Sequence, residues 1–340
     1  MATKVIQMME KTAEGYDMLI PAGGGIVIRV TSLAGTTVTC SFNEQTQSYT
    51  FSSDGTYDFY GVGYGEYTFT IIGMGITRTE TLNVTESKIY ELSFYPVLSV
   101  LNENSWAIIS TISEIGTAQN TWSLGDIKMV TINGTITGTT FNDSYGVFIA
   151  SFSHNPDIEG NGILFHSFKN NLTEKKDIAL FSNFQMNTSD ITDGGWRDCH
   201  MRKNIIPQFE SAIPSELKNV VKTSTIYSHN YTGGSQNNNA SYVTTTQDKF
   251  YLLAEFEIFG ARTYANSYEQ NHQVQVEYYK LGNSQVKYQS TSQSSANIWW
   301  ERSVWCNNTN TNYFCGVGNN GSADFSNAHY SYGFAVAFRV

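Results

Sequence analysis

Two glutamates, Glu255 and Glu257, lie two residues apart within the apolar run FYLLAEFEIF at 250–259. Read as one buried strand, that run puts both carboxylates on the same face, where paired acids can do general acid–base work. The spacing equally fits a core device in which a buried acid pairs with Arg302 or Arg197 at a desolvation cost. Cys306 and Cys315 could bridge, or stay free thiols in a reducing cytosol. With Cys40 and Cys199 they form no CxxC pair, so zinc is not expected. The histidines (His154, His166, His200, His229, His272 and His329) have no metal-like spacing. Asp143, Asp157 and Glu159 could hold an ion but read as ordinary loop acids. A nucleophile elbow, phosphate loop, dinucleotide fingerprint, HExxH pair and EF-hand loop are all absent. No metal, no cofactor and no enzymatic activity are expected.

A different chemistry is written into the C-terminal stretch. Residues 303–333 hold seven Asn, four Ser, four Gly and three Tyr, and Asp324 is their only formal charge. They contain no Lys, Glu, Gln, Met, Leu, Ile or Pro. This composition predicts irregular surface between two rigid anchors, Trp299-Trp300-Glu301-Arg302 before it and the alternating strand FAVAFRV at 334–340 after it. Tyr, Trp, Ser, Gly and Asn together are also what antibody-like binding loops use. The rings give rigid contact area, and the small polar groups give adaptable hydrogen bonds. Every residue from 306 to 333 is also reachable from an Asn codon varied at its first two letters, whereas Lys, Glu, Gln, Met and Trp are not. Trp305 is the exception nearby.

The elements that must carry such a surface are mostly strands. Segments at 26–30, 37–40, 48–51, 57–59, 66–71, 79–84 and 89–94 alternate with a period of two between turn signals, which predicts an antiparallel sandwich. Residues 23–95 are therefore expected to form a β-spacer, preceded by a polar leader at 1–22. From 96 on, strands are expected at 128–132, 145–152, 162–168 and 177–181. Helices are expected at 196–206, 214–221 and 268–280, so that 96–340 forms one α+β domain. Charged residues are only 15% of the chain against roughly 25% in typical soluble domains. The net charge of −10, with scattered Lys and Arg, argues against nucleic acid as a partner. No apolar run approaches a membrane span, and 1–22 lacks the apolar region of a signal peptide, so cytosolic synthesis without membrane insertion is expected.

Four runs carry a family resemblance: GGWRDCHMR at 194–202, LLAEFEIFG at 252–260, WWERS at 299–303 and GFAVAFRV at 333–340. Together they resemble the DUF6273-type domain of phage and prophage tail proteins of gut Firmicutes, over roughly 100–340. That domain is similar to the variable proteins of diversity-generating retroelements. The resemblance implies a C-type-lectin-like fold, related to formylglycine-generating-enzyme domains, after an Ig-like or transthyretin-like sandwich. It also implies a ligand-binding face rewritten through Asn codons. By position that face would comprise Trp305, Asn307, Asn308, Asn310, Asn312, Tyr313, Gly316, Gly318, Ser322, Asp324, Phe325, Ser326, Asn327, His329, Tyr330 and Tyr332. The leader KTAEGYDMLIP resembles tail-fibre attachment segments.

The implied protein is a virion tail adhesin for a bacterial surface protein or glycan. It would join other tail proteins through its N-terminus and assemble as a homo-oligomer, with a trimer favoured. A structural baseplate component, or an enzyme of the same fold using Glu255, Glu257 or Cys315, are the alternatives. Two departures bear on this: the calcium motif of sugar-binding lectins is absent, and Cys306 and Cys315 do not match the catalytic cysteine pair of the formylglycine-generating enzymes.

Overall fold

A computed structural model describes residues 9–12, 15–18, 25–232, 237–306 and 311–340. The fold is α+β and mostly strand, and it divides into two compact units, Met1–Leu98 and Ser99–Val340.

In the first unit each alternating segment of the sequence falls on one strand. Gly55–Gly61, Ile26–Ser32 and Ile89–Ser93 form one sheet, and Gln45–Thr50, Thr37–Phe42, Gly65–Gly73 and Ile76–Val84 form the other. Most of these strands are apolar on one side, and Ile28, Val30, Val38, Phe59, Phe69 and Ile71 share one buried core. Phe59 and Phe69 meet edge to face at 6.3 Å and join the two sheets. One pairing corrects the antiparallel expectation: Ile26–Ser32 and Ile89–Ser93 run parallel, in register from Val27↔Ile89 to Thr31↔Ser93. The chain crosses from the other sheet after Val84 and re-enters beside the first strand in the same direction. The strands Met9–Thr12 and Gly15–Met18 pair with each other ahead of this unit's core.

The second unit is built on an antiparallel five-stranded sheet ordered Ile127–Ile136, Thr139–Phe152, Ile163–Lys169, Val336–Arg339 and Phe250–Leu252. The last strand of the chain thus lies inside the sheet, and Phe338 is paired with Phe165 on one side and Phe250 on the other. Helix Trp106–Ile115 starts at a Ser105 cap, stops at Gly116 in the left-handed region, and sets Trp106 on Phe165 and Phe338. A second sheet, Trp299–Val304, Tyr313–Val317 and Ala323–Asn327, stands against it. The backbone joins them where Arg302 N donates to Leu253 O at 3.0 Å and Trp300 N to Gly333 O at 3.0 Å.

Four expectations are corrected. The run 250–259 is a strand only to Leu252; Glu255–Phe259 is a helix. The Glu257 carboxylate accepts Ala254 N at 2.9 Å at its start, and Gly260 ends it at φ 66. The stretch 196–206 is broken at extended Cys199 and resumes as a π turn, Met201–Ile205, leading into Ile206–Ala212. Pro207 has no N–H to return to the preceding turn, and the wider turn absorbs that loss. The stretch 268–280 keeps only the turn Glu269–Asn271 and the short helix Glu277–Lys280, with Val276 fully buried between them. Finally, 303–333 is not irregular surface throughout. Tyr313–Val317 and Ala323–Asn327 pair as a hairpin whose Phe314, Cys315 and Val317 are fully buried.

Candidate binding site

The floor of the site is the strand Trp299–Val304, all six residues of which are buried. Both indoles are anchored: Trp299 Nε1 donates to Gln285 O and Trp300 Nε1 to Phe184 O, each at 2.9 Å. Alternate side chains leave the strand on opposite sides. On one side Arg302 donates from Nη1 and Nη2 to the Glu257 carboxylate, at 2.6 and 2.5 Å, from Nη1 also to Leu252 O, and from Nε to Ser228 Oγ. A planar guanidinium suits this two-pronged contact, which satisfies a buried charge at both ends. Glu255 and Glu257 therefore sit on a helix rather than a strand. Glu257 binds Arg302, and Glu255 accepts the amides of Tyr264 and Ala265.

On the other side Ser303 Oγ donates to Glu269 at 2.7 Å, and Glu269 also accepts His229 N. Burial pushes the Glu269 carboxyl up to about 7, against those hydrogen bonds. Glu301 is fully buried, and neither of its oxygens has a hydrogen-bond partner among the described residues. Burial first, then the neighbouring Glu255 and Glu269, hold it well above the usual carboxylate range.

All four cysteines are free and buried, which closes the alternative of a Cys306–Cys315 bridge in this state. Cys306 Sγ lies 3.2 Å from His229 Nδ1, which also contacts the Asn266 amide at 3.0 Å. Burial and the nearby Glu269 raise the Cys306 thiol, opposite to what a thiolate nucleophile needs. Among the described residues no group of three His, Cys, Asp or Glu side chains is placed to hold a metal ion. Of the loop acids, Glu159 instead faces Arg339 at 3.5 Å.

Above this floor stands the hairpin. Gly321, at φ 84, turns the chain, and Gly318 N donates to Ser322 O at 2.7 Å. Cross-strand pairing places Tyr313 opposite Asn327 and Cys315 opposite Phe325, so these side chains share one face. There Trp305 stacks on Phe325 at 4.3 Å and 6°, and Tyr313 leans on both rings at 5.1 and 5.2 Å. Tyr264 meets Phe325 edge-on at 4.9 Å. All four rings are half-buried. Tyr264 has no mark in its own sequence, and the Glu255 carboxylate that holds its amide brings it to the hairpin.

The remaining predicted positions separate. Tyr332 packs on Trp300 and accepts from Ser326 Oγ at 3.1 Å, on the side of the strand opposite Phe325. Tyr330 is exposed beside His329, whose Nδ1 lies 2.5 Å from Asp190. Asn312 and Asp324 are half-buried and Ser322 is exposed. Gly316, Gly318 and Ser326 are buried and cannot present a surface, which corrects their placement on the face. A Cβ at Gly316 would stand 2.9 Å from Trp299 O, so that glycine is needed for close packing on the floor. Asn307, Asn308 and Asn310 lie outside the described residues.

Residues 169–340 match the family described as a domain of unknown function, DUF6273, and the chain belongs to that family. No curated protein matches the chain.

Proposed function

We propose that this DUF6273 protein is a receptor-binding protein of a phage or prophage tail. Its C-terminal domain is C-type-lectin-like and displays a diversified face toward a bacterial surface ligand. The Ig-like first unit serves as a spacer, and the N-terminal segment attaches to the tail. The observation that carries this reading is the half-buried aromatic cluster above a tightly anchored strand: Trp305, Tyr313 and Phe325 from an almost charge-free segment, with Tyr264 beside them. Rigid rings rimmed by small polar residues bind through shape and hydrogen bonds, and they need little electrostatic steering. A homotrimer would multiply weak single sites through avidity.

The test is binding of the labelled chain to a panel of gut Firmicutes. The chain is expected to bind a subset of strains. Replacing Tyr313, Phe325, Tyr330 and Tyr332 together with Ala is expected to abolish that binding. Binding to no strain, or equal binding by the variant, overturns the reading. Diversification is tested in the neighbouring DNA, where a near-copy of the codons for 303–340, differing only at adenines beside a reverse transcriptase gene, is expected.

A further inference from the structure

We propose that the face formed by Trp305, Tyr313, Phe325 and Tyr264 takes an uncharged glycan, held by sugar rings lying on the aromatic platform and by hydroxyls bonded to the amide of Asn327. This inference rests on the receptor-binding reading above and names the ligand class. Three observations carry it.

The first is ring geometry. Trp305 and Phe325 are stacked at 4.3 Å, and Tyr313 and Tyr264 lie within 5.2 Å of Phe325. Rings in mutual contact leave no space for a guest between them, so the cluster is not a cage for a quaternary ammonium group. It is a platform that offers outer faces and edges. The flat C–H face of a pyranose is the kind of polar ligand that presents an apolar surface to such rings.

The second is charge. Asp324 is the only formal charge between 303 and 333, and one Asp324 oxygen accepts Phe325 N at 2.8 Å. Arg262 Nε is turned onto Ala265 O, and Arg302 beneath is paired with Glu257. The platform therefore offers little net charge to an anionic or cationic glycan.

The third is hydrogen-bonding capacity. Asn327 stands opposite Tyr313 on the same face and is half-buried, and its amide has no partner among the described residues. One amide offers donors and an acceptor together, which matches a hydroxyl that must do both.

The chain carries its own probe for the test. Of its six tryptophans, Trp106, Trp122, Trp196, Trp299 and Trp300 are 2% exposed or less, so surface-sensitive emission comes from Trp305. The full chain is titrated with neutral hexose and N-acetylhexosamine oligosaccharides and with their sialylated or phosphorylated counterparts. At least one neutral oligosaccharide is expected to shift the emission, with an affinity that changes less than twofold between low and high salt. Phe325→Ala and Asn327→Ala are each expected to weaken binding tenfold or more while the chain stays folded at the temperature of the titration. Trp305→Phe is expected to lose the emission change and, measured by calorimetry, to weaken binding as the larger ring face is removed.

Preference for the charged sugars, or no response to any oligosaccharide, overturns the proposal. Treating cells with periodate or with protease separates it from the reading beneath it. Binding that survives periodate and is lost with protease, yet still depends on Phe325, refutes the glycan and keeps the receptor-binding face. Cell binding indifferent to Phe325 refutes both.

Discussion

The two units solve the problem of a core in opposite ways. Among its described residues the first unit buries only two polar side chains, Ser32 and Thr36, and leaves its ion pairs, such as Lys88–Glu86, at the surface. The second buries Glu255, Glu257, Glu269, Glu301 and Arg302 beneath a hairpin whose outer segment is almost uncharged. The usual arrangement of charge outside and apolar groups inside is reversed around this one site. A buried polar network is costly when incomplete, but it fixes geometry once satisfied. We read it as the mount that holds the hairpin in one position.

Breaking the mount gives the largest expected effect. Arg302→Met leaves the Glu257 carboxylate buried and unpaired, and it should cost about 3–5 kcal/mol. In denaturant unfolding followed by hydrogen exchange, the second unit's transition should move and the first unit's should stay in place.

The pH response should be nearly as large and again confined to the second unit. Glu269 is raised from 4.5 to about 7 in the folded state, so its contribution is fully present below pH 4.5. It is lost as pH rises through about 7, a fall of about 3 kcal/mol. Glu301 acts in the same direction, while buried His154 and His166, whose pKa values are lowered, slope the other way below 6.5. The difference between the parent and Glu301→Gln isolates one group. The two should be equally stable at pH 4.5, and the variant should be the more stable at pH 8. The first unit, whose described core holds no carboxylate, should keep one midpoint over that range.

The smallest effect belongs to the first unit's surface. Thr37 and Thr50 share a cross-strand hydroxyl bond at 2.8 Å, exposed to solvent. Thr37→Ala should cost about 0.2–1 kcal/mol by thermal unfolding, without any pH dependence.

The same contrast decides what the sequence makes legible. In the first unit most strands are apolar on one face, and alternation between turn signals marks all seven. Only the parallel pairing, set by a crossover between sheets, leaves no local trace. In the second unit, Phe250-Tyr251-Leu252 and Glu255-Phe256-Glu257 form one apolar run that no periodicity divides, and tertiary contacts make half of it a helix. Asn and Gly around Phe314, Cys315 and Val317 mask a buried strand as a loop. Of the candidate site, Trp305, Tyr313 and Phe325 are visible as aromatics among small polar residues. Tyr264 is not, because its place depends on a carboxylate nine residues earlier catching its amide.

Each unit also carries a matched pair of half-buried stacked rings: Tyr49 on Tyr57 at 3.8 Å in the first, and Trp305 on Phe325 at 4.3 Å in the second. Cell binding by Tyr49→Ala and Phe325→Ala, measured side by side on a strain the parent binds, tests the central claim most directly. Phe325→Ala should lose binding tenfold or more, while Tyr49→Ala binds as the parent does. Equal losses, or a loss confined to Tyr49→Ala, would contradict it.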